Sequence, residues 1–267
     1  MCNVSAHIQN DESGAPEFFG NGLRLVPIKG NGGKLNLDAL DQSIRATEGH
    51  GVHSYLPSAL SLTQSTESGT IYTPDEVRGL CDYAHGLNMK THMDGARFAN
   101  AVAALDVHPS EITWKAGVDV LCFSGTKNGL ALGEAVVFFN RSLAGDFEWR
   151  CKQAGQLASK MRYISAPWCG LLEGDVWLQN ARHANACARK LAAAIAAIPG
   201  VSLVHPTEAN AVFARLPEAT ITALRDKGWV FYTFIGSGNC RFMCSWATTE
   251  ADITSLANDI KSSQGEF

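Results

Sequence analysis

Strand-like and helix-like segments alternate along the first half of this chain, and no other feature restricts the possible folds so strongly. Strands separated by helices predict a largely parallel sheet with right-handed crossover connections. We therefore expect an α/β fold for this half. Apolar runs typical of strands occupy residues 23–28, 54–62, 89–93, 118–123 and 135–139, and helical patterns occupy residues 37–46, 74–86, 98–105 and 109–116.

The pattern changes after about residue 150. Long helices are predicted first, and short strands then alternate with helices. This change divides the chain into a major domain (residues 1–150) and linking helices with a small α+β domain (residues 151–267). The predicted helices span residues 149–172, 175–198, 218–227 and 249–262, and the strands span residues 201–204, 211–216, 229–234 and 241–246, with a hairpin turn at 236–239.

Composition excludes several classes of function. The 267 residues suffice for a substantial hydrophobic core, and a formal net charge of −4 without a broad basic patch argues against a nucleic-acid partner. The longest apolar stretch, residues 191–198, is too short to cross a membrane. The eight cysteines are scattered, and the N-terminus has neither a basic start nor an apolar run. We expect reduced cysteines, no signal peptide and a cytoplasmic location.

Two charged residues follow neighbouring strands of the predicted sheet. Asp94 comes after the strand at 89–93, and Lys127 comes after the strand at 118–123, within the glycine-flanked turn SGTKNG. Ligands of open α/β sheets bind at the carboxyl ends of the strands, so we expect both side chains on one rim. Taken alone, Asp94 could instead cap a helix and Lys127 could be a solvated turn residue.

An amine and a carboxylate on one rim are two of the four groups that an aldehyde cofactor such as pyridoxal 5′-phosphate (PLP) requires. The lysine forms an imine, and the carboxylate keeps the pyridine nitrogen protonated so that the ring can accept electrons. The other two groups are a flat side chain over the ring and a cation for the substrate carboxylate. His7 and Arg241 are candidates for these two roles.

Four segments carry these residues. They are HMDGARFANA at 92–101, FSGTKNGLALGEAV at 123–136, AHIQNDESGAPE at 6–17 and CRFMCSW at 240–246. Together and in this chain's order they resemble the threonine aldolase and aromatic amino acid β-eliminating lyase family, in its bacterial low-specificity branch. The resemblance implies PLP fold type I, with an aspartate-aminotransferase-like major domain and a small C-terminal domain.

The resemblance also implies a role for each matching residue. Lys127 would form the imine with PLP, Asp94 would pair with its pyridine nitrogen, and His7 would stack on its ring. We further hypothesise that His7, or a water it holds, is the base of the reaction. Arg97 would lie near the cofactor and the substrate carboxylate, and Arg241 would bind that carboxylate. Fold-type-I enzymes build their sites across subunit interfaces, which implies a homodimer or homotetramer.

The activity implied by the resemblance is cleavage of β-hydroxy-α-amino acids, such as threonine or allo-threonine, to glycine and an aldehyde. Family members carry a further segment before the position of Met1, with a loop that contacts the cofactor phosphate, so we expect a major domain that is incomplete at its N-terminus. Gln64 stands where many members have a histidine. A related PLP β-eliminating lyase and a truncated, non-catalytic homologue remain open as alternatives.

No metal site is expected from the sequence. His50, His53 and the Arg182-His183 pair lack partners at metal-ligand spacing. The SGTK segment also matches the S-x-x-K pattern of β-lactamases, but the S-D-N and K-T-G motifs that accompany it are missing.

Overall fold

The computed structural model describes residues 1–234 and 238–264, and within them each half of the chain contains one four-stranded sheet. The strands are β1 (Cys2–Asn3), β2 (Pro27–Ile28), β3 (Ala59–Thr63), β4 (Lys90–Gly95), β5 (Val120–Ser124), β6 (Glu134–Phe138), β7 (Ser202–Leu203), β8 (Ala211–Arg215), β9 (Tyr232–Phe234) and β10 (Asn239–Met243). The helices are α1 (His7–Asn10), α2 (Ala15–Phe19), α3 (Leu37–Glu48), α4 (Pro74–Gly86), α5 (Phe98–Leu105), α6 (Phe147–Gln153), α7 (Arg162–Leu172), α8 (Val176–Ala196), α9 (Glu218–Asp226) and α10 (Glu250–Ser262).

The sheet of the first half has the strand order β3-β4-β5-β6. Its strands contain more residues in total than those of the sheet in the second half, so it is called the larger sheet, and the sheet of the second half is called the smaller sheet. Strands β3, β4 and β5 are parallel, as predicted, and α4 and α5 lie in the connections between them. Strand β6 is antiparallel to β5. Its connection, residues 125–133, is shorter than the dozen or more residues that a parallel crossover needs, so the chain turns back on itself.

Two strands are shorter than predicted. Of residues 23–28, only Pro27–Ile28 pair, and their partner is β1. The prediction of a strand from residue 54 is also wrong at its start, because pairing begins at Ala59. Pro57 lies just before this point and has no N–H group to donate to a sheet.

The helix termini follow the sequence chemistry closely at α4. The Thr73 hydroxyl accepts the Glu76 N–H, the Glu76 carboxylate accepts the Thr73 N–H, and Pro74 occupies the first helical turn. The buried stripe of this helix packs on the sheet. Helix α5 spans the predicted residues 98–105.

Two helical predictions in irregular segments are wrong. Residues 149–172 form α6 and α7 rather than one long helix, because Gly155 (φ 71°) and Lys160 (φ 57°) take left-handed conformations that end a right-handed helix. Residues 109–116 form two short 3₁₀ helices, Pro109–Ile112 and Trp114–Ala116, instead of an α-helix.

Helix α8 joins the two halves of the molecule. Its Trp177 and Ala181 belong to the core of the larger sheet, whereas Leu191 and Ile195 belong to a second core under the smaller sheet. A buried pair of hydrogen bonds links Asn185 of this helix to Asn100 of α5, through the Asn100 side chain at 3.0 Å and its carbonyl at 2.9 Å. The division at residue 150 remains a prediction.

The smaller sheet has the order β7-β8-β10-β9 with antiparallel pairing, flanked by α9 and α10. Strand β10 therefore lies in its interior and carries Arg241 opposite Phe213 and Tyr232. The predicted turn at 236–239 lies partly outside the described residues. Among residues 1–234 and 238–264, no helix has the length and apolar character required to cross a bilayer. The eight cysteines are free thiols.

Candidate active site

A cavity of about 900 Å³ opens at the carboxyl rim of the larger sheet, and the smaller sheet contributes to its wall. All the residues selected from the sequence line this one cavity. They are His7, Asp94, Arg97, Lys127 and Arg241, and their neighbours in the wall include Ser5, Glu12, Thr63, Glu67 and Tyr232.

Asp94 lies on the central strand β4, in register with Thr63 on one side and Cys122 on the other. Its Oδ1 atom accepts the N–H of Ala96 at 3.0 Å, which fixes the carboxylate in the turn that follows the strand. Asp94 does not cap α5, since that helix begins at Phe98 with Arg97 at its N-cap position.

Lys127 lies in a single 3₁₀ turn, Thr126–Asn128, that directly follows β5. The turn is tight because Gly125 has no Cβ: a methyl group there would lie 2.6 Å from the Gly133 carbonyl oxygen and 2.8 Å from Trp168. The backbone N–H of Lys127 donates to the Ser124 hydroxyl at 3.3 Å. Strands β4 and β5 are neighbours and parallel, so Asp94 and Lys127 lie on the same rim, as predicted.

The Lys127 amine is open to the cavity, but the surrounding protein removes part of its hydration. This partial burial lowers the pKa of Lys127, and the positive charge of Arg97 lowers it further, against the opposing effect of Asp94. A lysine with a lowered pKa more readily becomes the neutral, nucleophilic amine.

Two arginines place positive charge in the cavity wall. Burial lowers the pKa of Arg97, and the neighbouring charge of Arg241 lowers it further. Burial also lowers the pKa of Arg241, whose guanidinium lies 5.2 Å from the centroid of the Tyr232 ring. Two guanidinium groups that repel each other favour an anion between them, and their planar shape suits a carboxylate.

His7 begins the short helix α1 and contacts two acidic residues. Its ring Nδ1 lies 2.7 Å from the Glu12 carboxylate, with both side chains about half exposed. Its backbone N–H donates to Oε1 of Glu67 at 2.8 Å. The Glu12 carboxylate thus holds the His7 imidazole at the cavity edge, and the His7 backbone N–H holds the Glu67 carboxylate.

Glu67 lines the same cavity, although no motif in the sequence predicted it. It lies four residues beyond the end of β3, on the rim shared with Asp94 and Lys127. Burial raises the pKa of Glu67, although the hydrogen bond from His7 and the charge of Arg97 act in the opposite direction. Extending the carboxyl-end rule from β4 and β5 to β3 would have identified it.

Gln64, which stands where many family members have a histidine, is not among the residues that line this cavity. Its side chain is fully buried and bonds to both backbone groups of Tyr72, at 2.8 Å to the carbonyl and 3.0 Å to the N–H. These bonds organise the loop after β3. The position in this loop that reaches the cavity is Glu67.

One cavity therefore contains a lysine with a lowered pKa (Lys127), a carboxylate at the sheet rim (Asp94) and two arginines. The model of the family described as beta-eliminating lyase matches residues 1–219. The chain belongs to this family.

The sequences of two relatives match this chain over nearly its whole length. The low specificity L-threonine aldolase of Pseudomonas sp. is 54% identical over 261 residues, which cover 98% of this chain and 75% of the relative. The low specificity L-threonine aldolase of Pseudomonas aeruginosa is 54% identical over 263 residues, with the same coverage of 98% and 75%.

Solved structures show the same fold. The threonine aldolase of Leishmania major superposes with a TM-score of 0.89 at 25% identity, covering 98% of this chain and 76% of that one. The structure described as a putative aromatic amino acid beta-eliminating lyase/threonine aldolase from Exiguobacterium superposes with a TM-score of 0.73 at 17% identity, covering 98% of this chain and 74% of that one. The expected PLP fold type I is confirmed, with a mixed sheet in the major part and a small antiparallel sheet near the C-terminus.

Proposed function

We propose that this protein is a PLP-dependent lyase that cleaves β-hydroxy-α-amino acids, such as threonine or allo-threonine, to glycine and an aldehyde. One observation carries the proposal: Lys127, Asp94 and two arginines line a single cavity at the carboxyl rim of the sheet. The two Pseudomonas relatives, both low specificity L-threonine aldolases, support this substrate class.

The side chains of the cavity fit the chemistry of PLP. Lys127 has the lowered pKa expected of an amine that holds an aldehyde, and Asp94 is the carboxylate for the pyridine nitrogen. His7 offers a flat ring at the cavity edge, and Arg97 offers positive charge. When bound, PLP supplies an electron sink for the bond broken at Cα.

The protein's own contribution is to bind and orient. We assign Arg241 and Arg97 to the substrate carboxylate, because they bring positive charge from the two halves of the molecule to one cavity. A carboxylate held by guanidinium groups cannot rotate freely, and this restriction decides which bond to Cα is broken. Tyr232 covers the Arg241 guanidinium on one side and limits its movement.

A second reaction deserves testing because the family model is that of beta-eliminating lyases. Such an enzyme uses the same amine and electron sink but expels a leaving group from Cβ. Incubation of the PLP-loaded protein with threonine distinguishes the two reactions by their products. Glycine with acetaldehyde supports the aldolase, and ammonia with a keto acid supports elimination.

The third alternative is a non-catalytic homologue. A protein whose absorbance and thermal stability do not change on addition of PLP is such a homologue.

We further propose that the protein works as a homodimer or homotetramer. Several large apolar side chains are exposed between residues 18 and 163, including Phe18 (78% exposed), Trp149 (67%) and Tyr163 (75%). A groove of about 620 Å³ beside them has Phe19, Leu132 and Phe147 in its wall. Exposed large apolar side chains and an apolar groove are typical of an interface. A cytoplasmic location agrees with the free thiols and stays a proposal.

A further inference from the structure

The carboxylate of Glu67 has one oxygen fixed and one oxygen unused. Oε1 accepts the backbone N–H of His7 at 2.8 Å. Oε2 is buried and, among residues 1–234 and 238–264, has no hydrogen-bond partner. A buried acceptor without a donor is costly, so such an oxygen in a cavity wall indicates a ligand that brings an O–H or N–H group.

Within the described part of the chain, the cavity wall contains three other carboxylates, and none of them is a buried acid that the protein holds in place for a substrate. Asp11 is exposed to solvent. Oδ1 of Asp94 accepts the Ala96 N–H, and Asp94 is the residue that we assign to the cofactor. Oε1 of Glu12 contacts the ring of His7 at 2.7 Å, and the Glu12 side chain is about half exposed. Glu67 is therefore the acid of the cavity wall whose orientation is set by the protein while one of its carboxylate oxygens has no hydrogen-bond donor among the described residues.

The charges around Glu67 suit proton transfer. Burial raises the pKa of its carboxyl group, the His7 N–H and Arg97 oppose this, and Asp94 adds to it. Arg241, Cys2 and Tyr72 also lie within electrostatic range. A carboxylate whose pKa is raised above its ordinary value takes up a proton more readily, which suits a general base.

We propose that Glu67 accepts the β-hydroxyl proton of the substrate through its Oε2 atom. This assignment rests on the proposed aldol cleavage. The proton moves to Oε2, the O–H electron pair becomes the second bond of the aldehyde carbonyl, and the Cα–Cβ bond breaks with its electron pair left on Cα. Cα then takes up one proton, which balances the one that Glu67 removed. Threonine thus yields glycine and acetaldehyde without any net oxidation or reduction.

The assignment gives His7 a different part from the one expected of it. The ring Nδ1 of His7 is bonded to Glu12, and the side chain is about half exposed to solvent. We leave His7 with the cofactor ring and give the proton transfer to Glu67. The backbone N–H of His7 donates to the Glu67 carboxylate, so the two residues lie side by side in the cavity wall while serving different roles.

The test compares two reactions of the PLP-loaded Glu67→Gln variant. Threonine cleavage needs removal of the β-hydroxyl proton, whereas exchange of the glycine Cα proton with D₂O does not. We expect cleavage to fall by about 10²- to 10⁴-fold, the usual contribution of a general base. Glycine exchange, followed by NMR, and the absorbance change on glycine binding should stay close to wild type. Equal loss of both reactions, or loss of neither, overturns the assignment.

Two further variants separate chemistry from structure. Glu67→Asp keeps the carboxylate and should recover part of the cleavage rate, with a shifted acidic limb in the pH profile of kcat/KM. Glu218→Gln, an exposed residue at the start of α9, is the matched control and should leave both reactions unchanged. An unmoved acidic limb in Glu67→Asp contradicts a role for Glu67 as the base.

The outcomes also distinguish this assignment from the proposed function. A PLP-loaded wild-type protein that releases no glycine and acetaldehyde from threonine rejects the proposed function, and the Glu67 assignment with it. A wild type that cleaves threonine beside an equally active Glu67→Gln variant rejects the Glu67 assignment alone.

Discussion

The backbone N–H of His7 donates a 2.8 Å hydrogen bond to the carboxylate of Glu67, sixty residues further along the chain. This bond joins the first turn of α1 to the loop after β3. Since the donor is a backbone group, a substitution of the His7 side chain leaves the bond in place. The roles proposed for the His7 imidazole and for the Glu67 carboxylate can therefore be tested independently, although the two residues are in direct contact.

Substitution of Arg241 should weaken substrate binding more than it slows the reaction. Arg241→Lys keeps the positive charge but removes the planar fork that binds a carboxylate at both oxygens. We expect the KM for threonine to rise about tenfold to hundredfold, the loss typical of a hydrogen bond between charged groups. Steady-state kinetics measure this directly, and Arg189→Lys on the exposed face of α8 is the control. An unchanged KM would place the carboxylate elsewhere.

The turn that carries Lys127 should not tolerate a side chain at position 125. In Gly125→Ala the new methyl group would lie 2.6 Å from the Gly133 carbonyl oxygen, so the turn has to shift and displace the lysine. We expect PLP absorbance to be largely lost while far-UV circular dichroism is retained. Gly86→Ala is the matched control, because a Cβ there meets no atom within 4 Å. Normal PLP binding by Gly125→Ala would contradict the role of this turn.

The position of Asp94 and Lys127 on the same rim of the sheet could be predicted from the sequence, because it depends on short sequence patterns around each residue. Each residue follows an apolar strand, and neighbouring parallel strands end on the same side of a sheet. The direction of β6 and the break between α6 and α7 could not be predicted from the sequence in the same way. Both depend on how a short or glycine-containing segment packs against the rest of the chain, which hydrophobic periodicity does not report.

Glu67 shows a second limit of sequence reasoning. Its placement on the rim follows from β3, but its chemistry depends on groups that are remote in the chain, namely the His7 backbone and Arg97. The same holds for the pairing of Asn100 with Asn185, which are 85 residues apart. Burial of a polar group by distant segments is a property of the folded molecule, so the sequence pattern of the loop alone could not indicate it.

Asp119 should make the stability of the larger sheet depend on pH. Burial opposes its ionisation, but bonds from the Thr91 N–H (2.8 Å), His85 (2.9 Å) and Asn140 (3.1 Å) outweigh this effect and lower the pKa of Asp119. A lowered pKa in the folded state stabilises the protein above the unfolded-state value of about 3.9, and this contribution is lost as the pH falls through the folded-state pKa.

The corresponding variant is Asp119→Asn. We expect it to lower the free energy of unfolding by about 1–3 kcal/mol at pH 7, the range for lost hydrogen bonds to a charged group. Its difference from wild type should narrow as the pH falls below about 3.9, where Asp119 of the unfolded chain takes up a proton, and should vanish once the pH has fallen through the lowered folded-state pKa. Urea unfolding at several pH values measures both effects. Asp75→Asn, whose side chain is 92% exposed, is the control and should change little. A pH-independent difference would contradict the linkage.

Reductive trapping of PLP on Lys127 tests the central claim most directly. The purified protein is loaded with PLP and treated with borohydride, which makes the lysine–cofactor bond permanent, and its peptides are then analysed by mass spectrometry. We predict one phosphopyridoxyl group, located on the peptide that contains Lys127 and absent from a Lys127→Ala protein. A label on another lysine, or the same label in the Lys127→Ala protein, would contradict the assignment of this cavity as the active site.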